Sequence, residues 1–509
     1  MQARLIKQEA ERCLVNYRIH STTMADDELS SLSKRAISLF FEFYQSTRSP
    51  LRESIEFLCE INASPNPNHV SIGLEALFPN LIEKLNDAFL PSYCKLYDRV
   101  FSQVISFFRQ LPSGQQIDSL LSQFGLNNEA SILRHKQSLN RKKNPLASSR
   151  PLKKIILLSR VTIGADIAVT SVIMAHLKKR YPDAELILLS SPKLQQLYGG
   201  DPQIRVRPIH YGRGSTILAR VETWLQVTDA IKNEIAGLRS EEYCVIDPDS
   251  RLTQLGLLPV LPKESEANSY FFFASRSYSH PVSDKLGQLA SHWISEICGD
   301  SDFTYPFLCL QADDPAITKQ VFHHLKSVDN RPTICISFGV GGNPIKRLSD
   351  EFELNLVLAL VKKARLIIDY GATIEEHNHI DRILSVLAAN GQTITKITDL
   401  QLPNQAPNPF QNVFTWRGDI GTFASLIANS NLYIGYDSAG QHIATALNVP
   451  TLTIFINSGS NSFPLRWQPH GAGTIKTIHL SPSRSDINSL PSFDLISRVL
   501  DAQEQLLLT

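Results

Sequence analysis

The apolar periodicity of this chain changes character near residue 134, and that change constrains the fold more than any other feature. Before it, apolar residues recur at spacings of three and four. Ile37, Phe40, Phe41 and Tyr44 share one helical face, and Ile55, Leu58 and Cys59 share another. A long helix is predicted over about 91–111, with Tyr97, Val100, Phe101, Val104, Phe107 and Phe108 as its stripe. Aromatic stripes of this kind form core, and no chemistry is assigned to them. After the change, short continuous apolar runs alternate with helical stretches: strands at 155–159, 185–190, 204–209, 243–246 and 270–273, helices at 167–180 and about 215–235. Continuous rather than alternating runs imply a sheet covered on both faces, hence a doubly wound α/β domain.

The pattern then restarts. Strands are predicted at 333–338, 366–370 and 432–434, with 451–455 as the last, and helices at 350–363, 376–390, 421–428 and 438–447. Asp350 and Glu353 have the spacing of a capping box at the first of these helices. The predicted architecture is α/β, with two Rossmann-like domains facing a cleft, preceded by an all-α N-terminal domain. Its parts are a helical domain over 1–133, a basic linker over 134–153, Rossmann-like domains over 154–328 and 329–490, and a C-terminal helix over 491–509. Ligands in such sheets sit at the carboxyl ends of the strands.

Composition excludes several classes. Fifty Lys+Arg against 49 Asp+Glu leave a formal charge of +1, which offers no broad surface for nucleic acid. Seven cysteines, scattered and without a C-x-x-C pair, argue against a disulfide framework or zinc knuckle and fit a reducing compartment. No apolar run approaches the ~20 residues of a transmembrane helix, and charges stand where a signal peptide needs its apolar segment. The expectation is a cytoplasmic protein with at most peripheral contact at the inner face of a membrane. Residues 134–154 carry nine basic residues counting His135, two prolines and no acid. This stretch is either a solvated tether or a patch that meets anionic phosphates or lipid headgroups, and with no apolar face to insert the tether is favoured.

The most informative stretch is NLYIGYDSAGQHIATALNVPTLTIF, residues 431–455. A strand ends at Tyr436, Asp437 turns the chain, and Ser438, Ala439 and Gly440 open a helix with small side chains that leave its first N–H groups uncovered for a phosphate. Asp437 either caps that helix or meets the ligand. His442 lies on the first turn. Here the sequence resembles glycosyltransferase family 9, the heptosyltransferases of lipopolysaccharide assembly. Members carry D-[TS]-G-x-x-H-x-A-x-A-L-x-x-P, matched by Asp437, Ser438, His442, Ala444, Ala446, Leu447 and Pro450, with Ala439 where glycine is usual.

Two further segments carry the resemblance. The acid that the family places after a glycine at the end of the first strand carries over as Asp166, with Ala165 between it and Gly164, and Lys178, Tyr181, Pro182, Ala184 and Leu186 complete that match. Asp166 is either a helix cap or the family's catalytic base. Gly339, Gly341 and Gly342 form a loop after the strand at 333–338, and Lys346 takes the place of the family's phosphate-binding lysine. Asp249, Arg251 and Arg276 resemble the acceptor-side segment, which would meet a phosphorylated or acidic sugar. Thr373 stands where a ribose-binding glutamate is usual, so the ribose would either go without that hydrogen bond or receive it from Glu375 or Glu376.

The resemblance covers roughly residues 154 to 490. It implies an inverting, metal-independent transferase of GT-B architecture, with no cofactor and a nucleotide-diphosphate sugar, ADP-heptose, as donor. Asp166 would deprotonate the acceptor hydroxyl, while Lys346 and the helix start at Ser438 to Gly440 would stabilise the leaving diphosphate. The acceptor would be a glycan, a lipid-linked sugar or a protein; the helical region lies outside the resemblance and is the candidate surface for a partner protein, above all in the non-catalytic alternative below. By the same resemblance, the C-terminal helix would cross back toward the first domain. The alternative is a non-catalytic sugar-nucleotide-binding or scaffold protein. A nicotinamide dehydrogenase is disfavoured because no G-x-G-x-x-G follows the strand at 155–159.

Overall fold

The computed structural model describes residues 1–139, 145–147, 149–212, 214, 216–311, 318, 322, 330–341, 343–398, 411–456, 462–480 and 492–508. The chain up to Leu139 is all helical, from Gln2–His20 to Glu129–Leu139. In the helix Pro91–Phe108 the expected stripe is buried at Tyr97, Val100, Phe101, Val104 and Phe108. No helix among the described residues is long and apolar enough to cross a membrane.

Two sheets follow. The first has the order β3-β2-β1-β4-β5, built from β1 (Lys154–Leu158), β2 (Glu185–Ser190), β3 (Ile204–Pro208), β4 (Tyr243–Asp247) and β5 (Tyr270–Phe272). β1 pairs in parallel with β4, Ile155 opposite Cys244, and β4 with β5. The second has the order β12-β11-β10-β6-β7-β9-β8 and is parallel throughout. Its strands are β6 (Thr333–Ser337), β7 (Arg365–Asp369), β8 (Thr393–Thr398), β9 (Gln411–Arg417), β10 (Leu432–Tyr436), β11 (Thr451–Ile456) and β12 (Ile475–Leu480). From β6 the chain builds outward through β7, then returns to place β10 on the other side of β6. The junction of β6 and β10 is therefore the switch point where loops diverge and a ligand can enter.

The structure departs from expectation in four places. The strand at 451–455 is not the last, because β12 follows it. β8 and β12 are the two edges of the second sheet and β9 lies inside β8; none of the three is expected, because polar residues interrupt their runs (TITKIT, QNVFTWR and IKTIHL) instead of leaving them continuously apolar. The helix Asp350–Leu360 is capped by Ser349, whose side chain accepts from the Phe352 amide, so Glu353 has no part in a capping box. The C-terminal helix Ser492–Leu507 packs on the core of the second sheet through Leu495, Val499 and Leu506, because its apolar stripe covers that core.

The basic stretch is the fourth departure. Residues 134–139 finish the helix Glu129–Leu139, while residues 140–144 and 148 lie outside the described residues. His135 Nε2 is 2.8 Å from Glu266, buried Lys136 donates to the Leu255 carbonyl, and Arg150 reaches the carbonyls of Glu241 and Asn268 at 3.0 and 2.7 Å. These basic residues find partners around β4 and β5, so the described part of the stretch is a packed strap. By contact density the chain divides into two compact units. One comprises Met1–Val161, Leu189–Ser191 and Pro208–Tyr278, so that the N-terminal helices belong with β1, β4 and β5. The other comprises Thr162–Leu188, Pro192–Arg207 and Ser279–Thr509.

Glu353 is turned into the second core and is fully buried. It meets Arg347 Nη2 at 2.9 Å and bonds to His379 Nε2, and Tyr436 Oη donates to it at 2.9 Å. Removing one member of such a network leaves the others buried without a counterpart. Glu353→Ala is expected to cost about 3 to 5 kcal/mol in urea unfolding, and Glu353→Gln less, since the amide keeps part of the hydrogen bonding. A loss for Glu353→Ala below about 1 kcal/mol would mean that the network contributes no more than an exposed pair.

Candidate functional site

At the switch point of the second sheet, Lys346 follows β6 and Asp437 follows β10. Their side chains meet, Nζ to Oδ2, at 2.5 Å. The second carboxylate oxygen of Asp437 accepts from Gln441 Nε2 at 2.9 Å, and Lys346 also lies 4.8 Å from the centre of the Phe463 ring. Asp437 is therefore not the helix cap. Ser438 holds that position, extended at φ −151° and with no side-chain cap hydrogen bond, before the helix Ala439–Ala446. The first N–H groups of this helix thus carry the positive end of its dipole without a side-chain acceptor from the cap.

The small residues here have separate reasons. A Cβ on Gly440 would sit 2.1 Å from Tyr433 Oη, so this glycine is required by packing against β10. A Cβ on Gly164 would lie 3.3 Å from Ala439 Cα and 3.3 Å from His442 Cδ2, which shows how closely the turn at Gly164 approaches the same helix start. Asp166 follows two residues later. It is buried at 2% exposure, and Oδ1 accepts from Thr170 Oγ1 at 2.9 Å. The N-cap position belongs to Thr162, and Asp166 opens a π-helical turn, Asp166–Thr170, inside the helical run. The cap alternative for Asp166 therefore fails on geometry.

His442 is buried beside Gln441, Nε2 to Nε2 at 3.3 Å, with its ring edge-on to Trp467. Burial pushes its imidazole down to about 4, with Asp437 opposing the push and Lys346 adding to it. Gly341 has a positive φ of 62° in the loop after β6, and Gly342 lies outside the described residues. Thr373 forms a true capping box with Glu376. Glu376 accepts from the amides of Ala372 and Thr373 at 2.8 and 3.1 Å, while a Cβ on Gly339 would lie 3.3 Å from its carboxylate. The cap thus holds Glu376 beside the β6 loop.

The remaining predicted residues lie in the other unit. Asp249, at φ 65°, accepts from Arg276 at 2.6 Å and from Ser275 at 2.9 Å. Burial would raise its carboxyl, but Arg276, Lys136 and Arg160 outweigh it and hold it below the ordinary value. The structure brings Asp249 and Arg276 together, and Arg251 opens the one-turn helix Arg251–Thr253 that follows.

Gln441 and Thr170, which hold the two aspartates of the second unit, are site residues that the sequence motifs do not single out. Each stands four residues after the aspartate it binds, a spacing that is readable in the sequence. One grouping outside the site has metal-ligand chemistry among the described residues: His176, Cys298 and Asp300, whose ligand atoms lie within 4.8 Å of one another. Arg180 sits 3.5 Å from the same Asp300 carboxylate and supplies positive charge there, and burial pushes the Cys298 thiol up to about 12.

Residues 414–489, which include most of β9, all of β10 to β12 and the Asp437 turn, match the sequence model of glycosyltransferase family 9 (heptosyltransferase). The match identifies this part of the second sheet as that of a sugar-transferring enzyme family. A comparison with proteins of curated function gives no match. Among solved structures, a family 9 glycosyl transferase from Veillonella parvula is 15% identical, covers 70% of this chain and 98% of its own, and superposes with a TM-score of 0.48. The E. coli ADP-heptose lipopolysaccharide heptosyltransferase II is 18% identical, with coverage of 70% and 98% and a TM-score of 0.44. E. coli heptosyltransferase WaaC with ADP is 13% identical, with coverage of 69% and 99% and a TM-score of 0.45.

The buried imidazole makes stability depend on pH. His442 has its folded value at about 4 against an ordinary 6.5, so the unfolded chain binds the proton more readily. Its contribution is whole above pH 6.5 and is lost as pH falls toward 4, by about 3 kcal/mol at the limit. Chemical unfolding of the wild type and of His442→Gln between pH 7 and pH 4 should show a shallower loss in the variant. Parallel curves would mean that His442 is not held neutral by the fold.

Proposed function

We propose that this chain transfers a sugar, heptose or a relative, from a nucleotide-diphosphate donor to an acceptor hydroxyl, with inversion and without a metal ion. The observation that carries it is the Lys346–Asp437 pair at the uncapped start of the helix Ala439–Ala446, with the Gly164 turn packed on that start. An ammonium has three donors. One is used by Asp437, and the others, with the helix dipole, suit a diphosphate whose charge grows as the glycosidic bond breaks. That supports a leaving group stabilised by the protein's own positive charge. ADP-heptose is the donor that the family resemblance implies.

In this mechanism Asp166 takes the proton from the acceptor hydroxyl as its oxygen attacks the anomeric carbon, and the nucleoside diphosphate departs. Thr170 orients the carboxylate through Oδ1. Neutral His442 lines the helix start without adding charge. The non-catalytic reading has one observation in its favour, the burial of Asp166 to 2% exposure.

Two variants separate these readings. Asp166→Ala should abolish transfer from ADP-heptose to an acceptor mixture, read by mass spectrometry, while leaving donor affinity within a few-fold. Retained turnover would remove Asp166 from the chemistry. Lys346→Ala should weaken donor binding by about 1.5 to 3 kcal/mol, the worth of a hydrogen bond to a charged group. An unchanged dissociation constant by calorimetry would take Lys346 out of the donor site.

A further inference from the structure

The helix Ser171–Arg180, which continues from the Asp166–Thr170 turn, and the helix Leu286–Cys298 both belong to the second unit and pack against each other. The second helix stops at Cys298 because Gly299, at φ 69°, takes the left-handed conformation that closes a helix, and the Asp300 amide bonds back to the Ser295 carbonyl at 3.0 Å. That reversal brings Asp300 beside Cys298, and His176 reaches both from the first helix. The thiol, the carboxylate and an imidazole nitrogen lie within 4.8 Å of one another. Cys298 and His176 are each 2% exposed, and the Asp300 side chain keeps 18% of its surface open.

No short hydrogen bond holds these groups together. His176 Nε2 is 3.2 Å from Asp300 Oδ2, and Arg180 Nη1 is 3.5 Å from the same oxygen. Arg180 has a closer bond through Nη2, which donates to the Cys298 carbonyl at 3.1 Å, so it is anchored without Asp300. The other imidazole nitrogen of His176, Nδ1, is buried with no hydrogen-bond partner, so the polar contact of the ring is all directed into this cluster. A tetrahedral zinc ion with bonds of about 2.0–2.3 Å holds nitrogen, oxygen and sulfur ligands about 3.3–3.6 Å apart. The spacing of nitrogen and oxygen here already meets that geometry, and sulfur comes within about 1 Å of it. Burial and the Asp300 charge push the Cys298 thiol up to about 12, with Arg180 opposing. Such a thiol is inert by itself, and a bound dication removes the obstacle by compensating the thiolate charge that burial disfavours.

We propose that His176, Cys298 and Asp300 form a structural zinc site, with water as the fourth ligand on the open side at Asp300. On binding, the Cys298 S–H bond breaks, the sulfur–zinc bond forms and the proton passes to solvent. The two charges of Zn²⁺ balance the thiolate and the carboxylate. Mixed sulfur, nitrogen and oxygen donors select zinc over magnesium or calcium, which take oxygen ligands. His176 stands ten residues after Asp166, about 15 Å along the helical run, so the ion takes no part in the metal-free transfer proposed above. Its role is to fasten the helix that continues from the Asp166 turn to the end of Leu286–Cys298.

The test uses the full chain, stripped with a chelator and reloaded with Zn²⁺ or Co²⁺ alone. One equivalent of zinc per chain should bind, read by competition with a chromophoric chelator, and should raise the melting temperature. Cobalt should give the near-ultraviolet charge-transfer band of a thiolate ligand, and Cys298→Ser should abolish that band while circular dichroism shows the fold intact. His176→Gln should lose stoichiometric zinc. The site is overturned if zinc does not bind stoichiometrically, if it binds without raising the melting temperature, or if the cobalt band survives Cys298→Ser, since another of the seven cysteines would then be the ligand. Zinc held as tightly by His176→Gln as by the wild type would make it an adventitious ion only. Should Cys298→Ser fail to fold, Asp300→Asn at the most open ligand decides instead: zinc binding must weaken, and unweakened binding overturns the site.

Discussion

The contact between Lys346 and Asp437 joins two loops that leave adjacent parallel strands but lie 91 residues apart in the chain. Each side is held from behind. Gln441 fixes the second oxygen of Asp437, and the residue after Lys346, Arg347, is anchored on buried Glu353, which also receives the Tyr436 hydroxyl at the end of β10. Tyr436 in turn accepts from the Leu348 amide at 3.3 Å. The two loops are thus tied twice, once at the mouth and once in the core. An ion pair this close to the surface contributes little stability by itself. Its value is positional, because it holds one positive charge beside an uncapped helix start.

In the donor site we propose, Asp437 puts an acid where the diphosphate would bind. Asp437 opposes an incoming anion, yet without it Lys346 would be a long side chain free to sample many rotamers, at an entropic cost on binding. Holding the ammonium in advance trades some attraction for order. Neutral His442 behind it adds bulk without adding a second charge.

The second sheet is legible in the sequence where its strands are continuous apolar runs. β6, β7, β10 and β11 are continuous apolar runs, and Asp437, Ser438 and His442 mark the turn after β10. β8, β9 and β12 are not legible, since polar residues interrupt them and they resemble loops to a search for continuous runs. Glu353 misleads for a related reason. Its spacing from Asp350 satisfies a local capping rule, while its real partners, Arg347, His379 and Tyr436, come together only through the tertiary fold. Gly440 reads as room for a ligand and is fixed instead by the Tyr433 ring on the neighbouring strand.

The same distinction between local pattern and tertiary partner governs the N-terminal half. Tyr97 belongs to an aromatic stripe that reads as plain core, and most of that stripe is core, yet its side chain lines a pocket that only the packing of helices on strand loops creates. Lys136 and His135 read as cations of a solvated tether, because sequence alone cannot show the carbonyl of Leu255 or the carboxylate of Glu266 that receives them. Once buried, Lys136 becomes one of the three cations that keep Asp249 ionised against its own desolvation. A charge that compensates a buried acid cannot be stripped away without leaving that acid to bear the full cost of burial. The helical region is therefore part of the electrostatic structure of the first unit rather than a module attached to it.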